Sequence, residues 1–281
     1  MDKQAQIERA TRFRTLHDRR QVLLLPNAWD AASACLFADL GYSAIATTSG
    51  GLAWSLGYAD GEQAPLGEVV AATRRIVRAT ALPVSADFEA GYGDTPAALA
   101  TSVRALLDTG VAGINLEDGL HHTSLRSVDD AARRIAAARQ AADAAGVPLV
   151  INARVDTWIV NREASDAERL PDAVRRARAY LAAGADCVYP LGLTQRDTIA
   201  ALVAAIDAPV NVGAFPGLPD LPDLAELGRL GVARVSTATR LATLALSAAR
   251  TAARALLDTG RFDALDAPLG YLDMQRLFPH S

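Results

Sequence analysis

Short apolar runs rich in β-branched residues alternate along this chain with longer stretches whose apolar positions return every three or four residues. The short runs are "VLLLPN" (22–27), "AIATTSG" (44–50), "PVSADFE" (83–89), "GINLED" (113–118), "LVINARVD" (149–156), "CVYPLG" (187–192), "PVNVGAF" (209–215) and "ARVSTAT" (233–239). Their near-continuous hydrophobicity predicts strands buried on both faces, the habit of parallel sheets. Between them, stretches such as "TPAALATSVRALLDTG" and "LPDAVRRARAYLAAG" predict amphipathic helices. Gly41, Gly110, Gly146, Gly184 and Gly231 each fall just before a strand, where glycine ends a helix cheaply. Eight strand–helix units in regular succession predict one α/β domain over 1–281, a (β/α)8 TIM barrel. An open doubly wound sheet is the alternative. A polar helix over 1–20 precedes the barrel. Residues 240–281 extend beyond it, with Leu265, Leu269, Leu272 and Leu277 suited to packing on a neighbouring subunit.

Composition narrows the picture. The 281 residues carry 28 basic and 32 acidic side chains, and the basic ones are scattered along helices, which disfavours a nucleic-acid surface. No apolar run is long enough for a bilayer, and the charged N-terminus does not read as a signal peptide. Two cysteines, Cys35 and Cys187, imply no disulfide framework and are expected to be buried bystanders; a cytoplasmic location fits.

In a barrel of this kind the active site lies at the C-terminal ends of the strands, so polar residues there are the candidates. Asp87 and Glu89 close the third strand two positions apart, which predicts that they share a face. Glu117 and Asp118 close the fourth, Arg154 and Asp156 the fifth, and Asn211 lies in the seventh. Neighbouring carboxylates repel unless a cation stands between them. The all-oxygen set Asp87, Glu89 and Glu117 suits Mg2+ or Mn2+, and no His or Cys accompanies it as zinc would require. Arg154 offers a fork for a substrate carboxylate, or simply neutralises Asp156 or Glu117. The Ser49-Gly50-Gly51 turn offers backbone N–H groups to an anion. Asp30 reads as a first-turn acid, and Asp94 as the cap before Thr95-Pro96.

"LPNAWDAASA", "TTSGGLAWSLGYADGE", "SADFEAGYGD", "GINLEDG" and "NARVDTW" resemble, in this order, the isocitrate lyase/phosphoenolpyruvate mutase superfamily. The resemblance implies a barrel whose last helix is swapped between subunits, a homotetramer built as a dimer of dimers, and Mg2+ with a 2-oxo acid as ligand. It implies Asp87 as the main metal acid, Glu89 and Glu117 as holders of metal waters, and Asp60 as the acid near the reacting group. Ser49, Gly50 and Arg154 would bind the substrate carboxylate. The lyases of the family carry Cys, and the phosphonate enzymes Lys, in the loop after strand four. Here that loop reads "EDGLHHTSLRS", with neither. His121 and His122 are the available acid/base groups, histidine being able to exchange protons near neutral pH. The leading expectation is therefore a Mg2+-dependent carbon–carbon lyase of a small 2-oxo acid or its precursor, in the manner of an oxaloacetate decarboxylase or a substituted-malate lyase. A phosphonopyruvate hydrolase or phosphoenolpyruvate mutase, and a non-catalytic 2-oxo acid-binding barrel, are the alternatives.

Overall fold

The computed structural model describes residues 2–121, 123–214 and 221–278. The first expected strand divides at Pro26 into β1 (Leu23–Leu25) and β2 (Asn27–Ala28), because proline has no N–H with which to continue a ladder. β3 (Ile45–Thr47), β4 (Val84–Asp87) and β5 (Gly113–Glu117) follow. A small antiparallel hairpin, β6 (Gly119–Leu120) with β7 (Ser124–Leu125), had no sequence signal. The barrel then continues with β8 (Val150–Val155), β9 (Cys187–Pro190), β10 (Asn211–Gly213) and β11 (Arg234–Ser236).

β2, β3, β4, β5, β8 and β9 form a six-stranded parallel sheet, and β1, β11 and β10 a three-stranded one. The sheets join at two seams. One is the Pro26 break, where the Pro26 carbonyl accepts from the Ala46 amide at 3.0 Å. The other is a parallel bridge between Val188 and Val210, with the Val188 amide donating to Pro209. Pairing thus runs around eight strand positions among the described residues, as a (β/α)8 barrel requires.

The five glycines that mark helix stops all have positive φ, between 66° and 105°, which side chains with a Cβ rarely adopt. Asp30 is an N-cap, closing a capping box with Ser33 over the helix Ala31–Asp39. The helix Pro96–Leu107 is capped by Thr95, whose hydroxyl accepts from the Ala98 amide; Asp94 does not perform that role. The N-terminal helix Lys3–Thr15 closes the barrel floor. Its Phe13 is fully buried, and a Cβ on Gly113 would stand 2.7 Å from that ring.

Beyond β11 the helix Arg240–Thr259 buries only Ala242. It exposes Leu244, Leu246 and Leu257; Leu265, Leu269 and Leu272 of the following segment are exposed too, while Leu277 is half-buried. The last helix, Tyr271–Leu277, lies against the chain's own helix Ala31–Asp39. None of the described helices is long and apolar enough to cross a membrane.

Candidate active site

Two kinds of acid meet at the barrel mouth. On the β4 side, Asp87 ends its strand and, among the described residues, accepts only from neutral donors: the Ser49 amide at 3.1 Å and the Asn115 amide group at 3.4 Å. Glu89 does not reach it by strand alternation, as the sequence predicts. The strand has ended, and Glu89 takes a left-handed φ of 49°. One carboxylate oxygen of Glu89 accepts from the Tyr92 hydroxyl and the other from the Glu62 amide, both at 2.6 Å. Burial pushes the Glu89 carboxyl up to about 7, helped by Asp87 and Asp60 and opposed by the Tyr92 hydrogen bond. Asp60 is exposed and lies over Gly50, where an added Cβ would meet its carboxylate at 3.2 Å. None of these three acids has an ion pair among the described residues.

On the β5–β8 side every acid has an arginine. Glu117 and Arg154 are register partners and form an ion pair. Arg154 also grips Asp156 with two bonds, at 2.6 and 2.8 Å. Against the cost of burial, these two acids hold the Arg154 guanidinium above its usual range. Glu117 is nevertheless raised by its burial, with Asp156, Asp87 and Glu89 adding to the effect and Arg154 opposing it. Behind them, Asp118 accepts from the Asp156 amide, the Tyr180 hydroxyl and Arg176. The Arg154 fork is therefore committed within the protein, the neutralising arrangement left open by the sequence.

Ser49, Gly50 and Gly51 are not a turn at a strand end but the first turn of the helix Ser49–Leu56. The first intrahelical bond runs from the Leu52 amide to the Thr48 carbonyl. The amides of Gly50 and Gly51 precede it and point out of the helix start, an anion-binding arrangement. Asn211 is fully buried, opens its strand rather than closing it, and exchanges hydrogen bonds with Ser236; it belongs to the barrel interior.

His121 stands at the tip of the β6–β7 hairpin with φ 50°, exposed. It borders a cavity of about 90 Å³ together with Glu62, Glu89, Glu117 and Arg126. His122 lies outside the described residues. Cys35 and Cys187 are buried, and burial pushes the Cys187 thiol up to about 12, so neither is a nucleophile.

Two further residues shape the site: Tyr92, which the sequence offers only as a structural member of its Gly-Tyr-Gly run, and Arg134, which carries no sequence signal. Tyr92, in the Gly-Tyr-Gly turn, touches Glu89 directly, and its amide donates to the Glu62 carboxylate at 2.7 Å. Arg134 is 1% exposed and donates to the Ala90 and Gly93 carbonyls, clamping both ends of that turn. Strain gathers in the same place. Of the six described non-glycine residues with positive φ, Glu62, Glu89, Tyr92 and His121 surround the acids. Such conformations persist only where the surroundings enforce them.

Among the described residues no three His, Cys, Asp or Glu side chains converge as a direct metal cage. Glu117 turns to Arg154, and Glu89 to Tyr92 and the Glu62 amide, so neither stands beside Asp87 as a direct ligand. What remains is a carboxylate, Asp87, with raised acids around it. That donor set fits a hydrated hard ion such as Mg2+, which keeps several waters and needs few carboxylates.

Residues 13–257 match the phosphoenolpyruvate phosphomutase family. A solved structure from Burkholderia cenocepacia J2315, provisionally described as a lyase/mutase, is 38% identical, with a TM-score of 0.89 over 98% of this chain and 96% of that one. A second from the same organism, provisionally described as a phosphonomutase, is 43% identical, with a TM-score of 0.83 over 91% and 100% of the two chains. The 2-methylisocitrate lyase of Bacillus subtilis strain 168 is 30% identical over 73% of this chain and 67% of its own.

Proposed function

The chain belongs to the isocitrate lyase/phosphoenolpyruvate mutase superfamily, through its phosphoenolpyruvate phosphomutase family, and on that premise we propose that it is a Mg2+-dependent lyase that breaks a C–C bond in a small 2-oxo acid or its 2-hydroxy precursor. The observation that carries this reading is the acid group Asp60, Asp87 and Glu89, without ion pairs among the described residues, beside the Gly50 and Gly51 amides. Excess negative charge in a half-buried mouth calls for a cation, and amides next to it call for an anion. A 2-oxo carboxylate with a divalent ion satisfies both.

When bound, such an ion supplies polarisation of the 2-oxo group. The chain's own groups do the rest. The Gly50 and Gly51 amides hold the substrate carboxylate and fix its orientation. Asp87 would face the ion, and Glu89 and Glu117 would hold its waters. Asp60, over Gly50, is placed to take or give the proton of the reacting group. His121, across the small cavity from Glu89 and Glu117, is the acid/base group that the hairpin supplies in place of a Cys or Lys. The absence of Lys from this loop disfavours phosphonate chemistry. The exposed leucines of residues 244–272 support assembly of copies through the C-terminal helices, as a homotetramer.

Incubation of the protein and Mg2+ with a panel of 2-oxo and 2-hydroxy acids, phosphonopyruvate included, tests the reading. Turnover of a dicarboxylate without phosphate release is expected, and His121→Ala should lower it about 100-fold. Release of phosphate from phosphonopyruvate alone would favour the P–C enzymes. Tight binding of a 2-oxo acid by calorimetry with no turnover would leave a binding barrel.

A further inference from the structure

Below the acids the barrel interior holds a charge that this chemistry does not use. Arg234 opens β11 at the floor and is fully buried. Its guanidinium stands over the Phe13 ring, 5.8 Å from the centroid. Its Nη2 donates to Asn115 Oδ1 at 3.3 Å, while Nε and Nη1 are buried without a hydrogen-bond partner among the described residues. It has no ion pair among the described residues. A buried cation with two unmet donors is a poor device for stability, since apolar replacements of buried charges are often neutral or stabilising. Its retention needs another reason.

The reason lies one layer above. Asp87, Asn115 and Asn152 are register partners across β4, β5 and β8 and form one row. Asn152 Nδ2 donates to Asn115 Oδ1 at 2.8 Å, and Arg234 donates to the same oxygen. With both donors on Oδ1, the Asn115 amide has one orientation, with Nδ2 turned to Asp87 Oδ1. The Ser49 amide takes the other oxygen of Asp87.

We propose that Arg234 is a positioning residue: through Asn115 it fixes the plane of the Asp87 carboxylate from below, so that the acid meets its cation and substrate ready-oriented. This rests on the reading of Asp87 as the acid that faces a divalent ion. Preorganised partners beneath a ligating carboxylate commonly tune affinity 10- to 100-fold.

The test uses the full-length protein and Mn2+ alone, with binding followed by the electron paramagnetic resonance signal of the unbound ion and Tm by circular dichroism. Arg234→Met and Asn115→Leu should each weaken Mn2+ binding about 10-fold. Because both act through one chain of contacts, the double variant should be no weaker than the worse single one. Arg234→Met should keep or raise Tm, and Arg234→Lys, which retains a donor, should bind within about threefold of the parent protein. Unchanged Mn2+ affinity in Arg234→Met, multiplying losses in the double variant, or an Arg234→Met protein that does not fold overturns the positioning role alone. A parent protein that binds no Mn2+ overturns the functional reading, and this inference with it.

Discussion

The two sides of the barrel mouth solve the same problem in opposite ways. Around β5 and β8, Glu117, Asp118 and Asp156 are matched by Arg154 and Arg176. Around β4, among the described residues, Asp87 and Glu89 accept only from amide and hydroxyl groups, and Asp60 has no ion pair. Desolvated carboxylates with arginines are closed units whose removal costs stability; carboxylates left without them are open to a ligand. The contrast sets Asp118 and Asp156, buried in ion pairs, against Asp60, Asp87 and Glu89, which have none among the described residues; Glu117, paired with Arg154 and lining the small cavity beside Glu89, belongs to both sides.

Asp87→Asn should break the open side most completely. It keeps the shape, removes the charge, and should lower Mg2+-dependent turnover by about 1,000-fold or more with little change in Tm. A variant of near-normal rate would erase the distinction. On the closed side the effect should be on folding instead. Arg154→Met leaves Glu117 and Asp156 buried without their guanidinium and should cost about 3–5 kcal/mol in urea unfolding.

The third expectation concerns pH. The folded-state pKa of Glu89 is raised from 4.5 to about 7. Its contribution to stability is therefore fully present below about 4.5 and is lost as pH rises through about 7. A divalent ion offsets that loss. Added Mg2+ should raise Tm more near pH 8 than near pH 5, and Glu89→Gln should flatten the difference; equal Mg2+ shifts at both values would count against an open acid centre. The smallest effect is expected from Tyr92→Phe, which removes one hydrogen bond to Glu89. It should cost about 1–2 kcal/mol at pH 8 and less at pH 5, where a protonated Glu89 needs the donor less.

The limits of the sequence can be seen at particular residues. Alternation put Asp87 and Glu89 on one face, and they do act on one another, yet through a left-handed turn rather than a strand. Arg154 was readable as a fork or as a neutraliser, and the register with Glu117 decided for the second. Asn211 looked like a mouth residue until its position at the start of β10, facing Ser236, put it inside. Arg134 had no signal at all, and Tyr92 only its place in the Gly-Tyr-Gly run, because their partners lie far along the chain or on the backbone of a turn.

The chain alone determined its eight alternating units, its glycine stops, its buried cysteines and its wealth of acids at strand ends, because periodicity and local backbone preference are properties of neighbouring residues. Which acids found arginines, which way Asn115 faces, and where strain gathered were decided by the closed ring of strands. Register sets side chains from distant segments within hydrogen-bonding reach, and a charge's meaning depends on what it meets there.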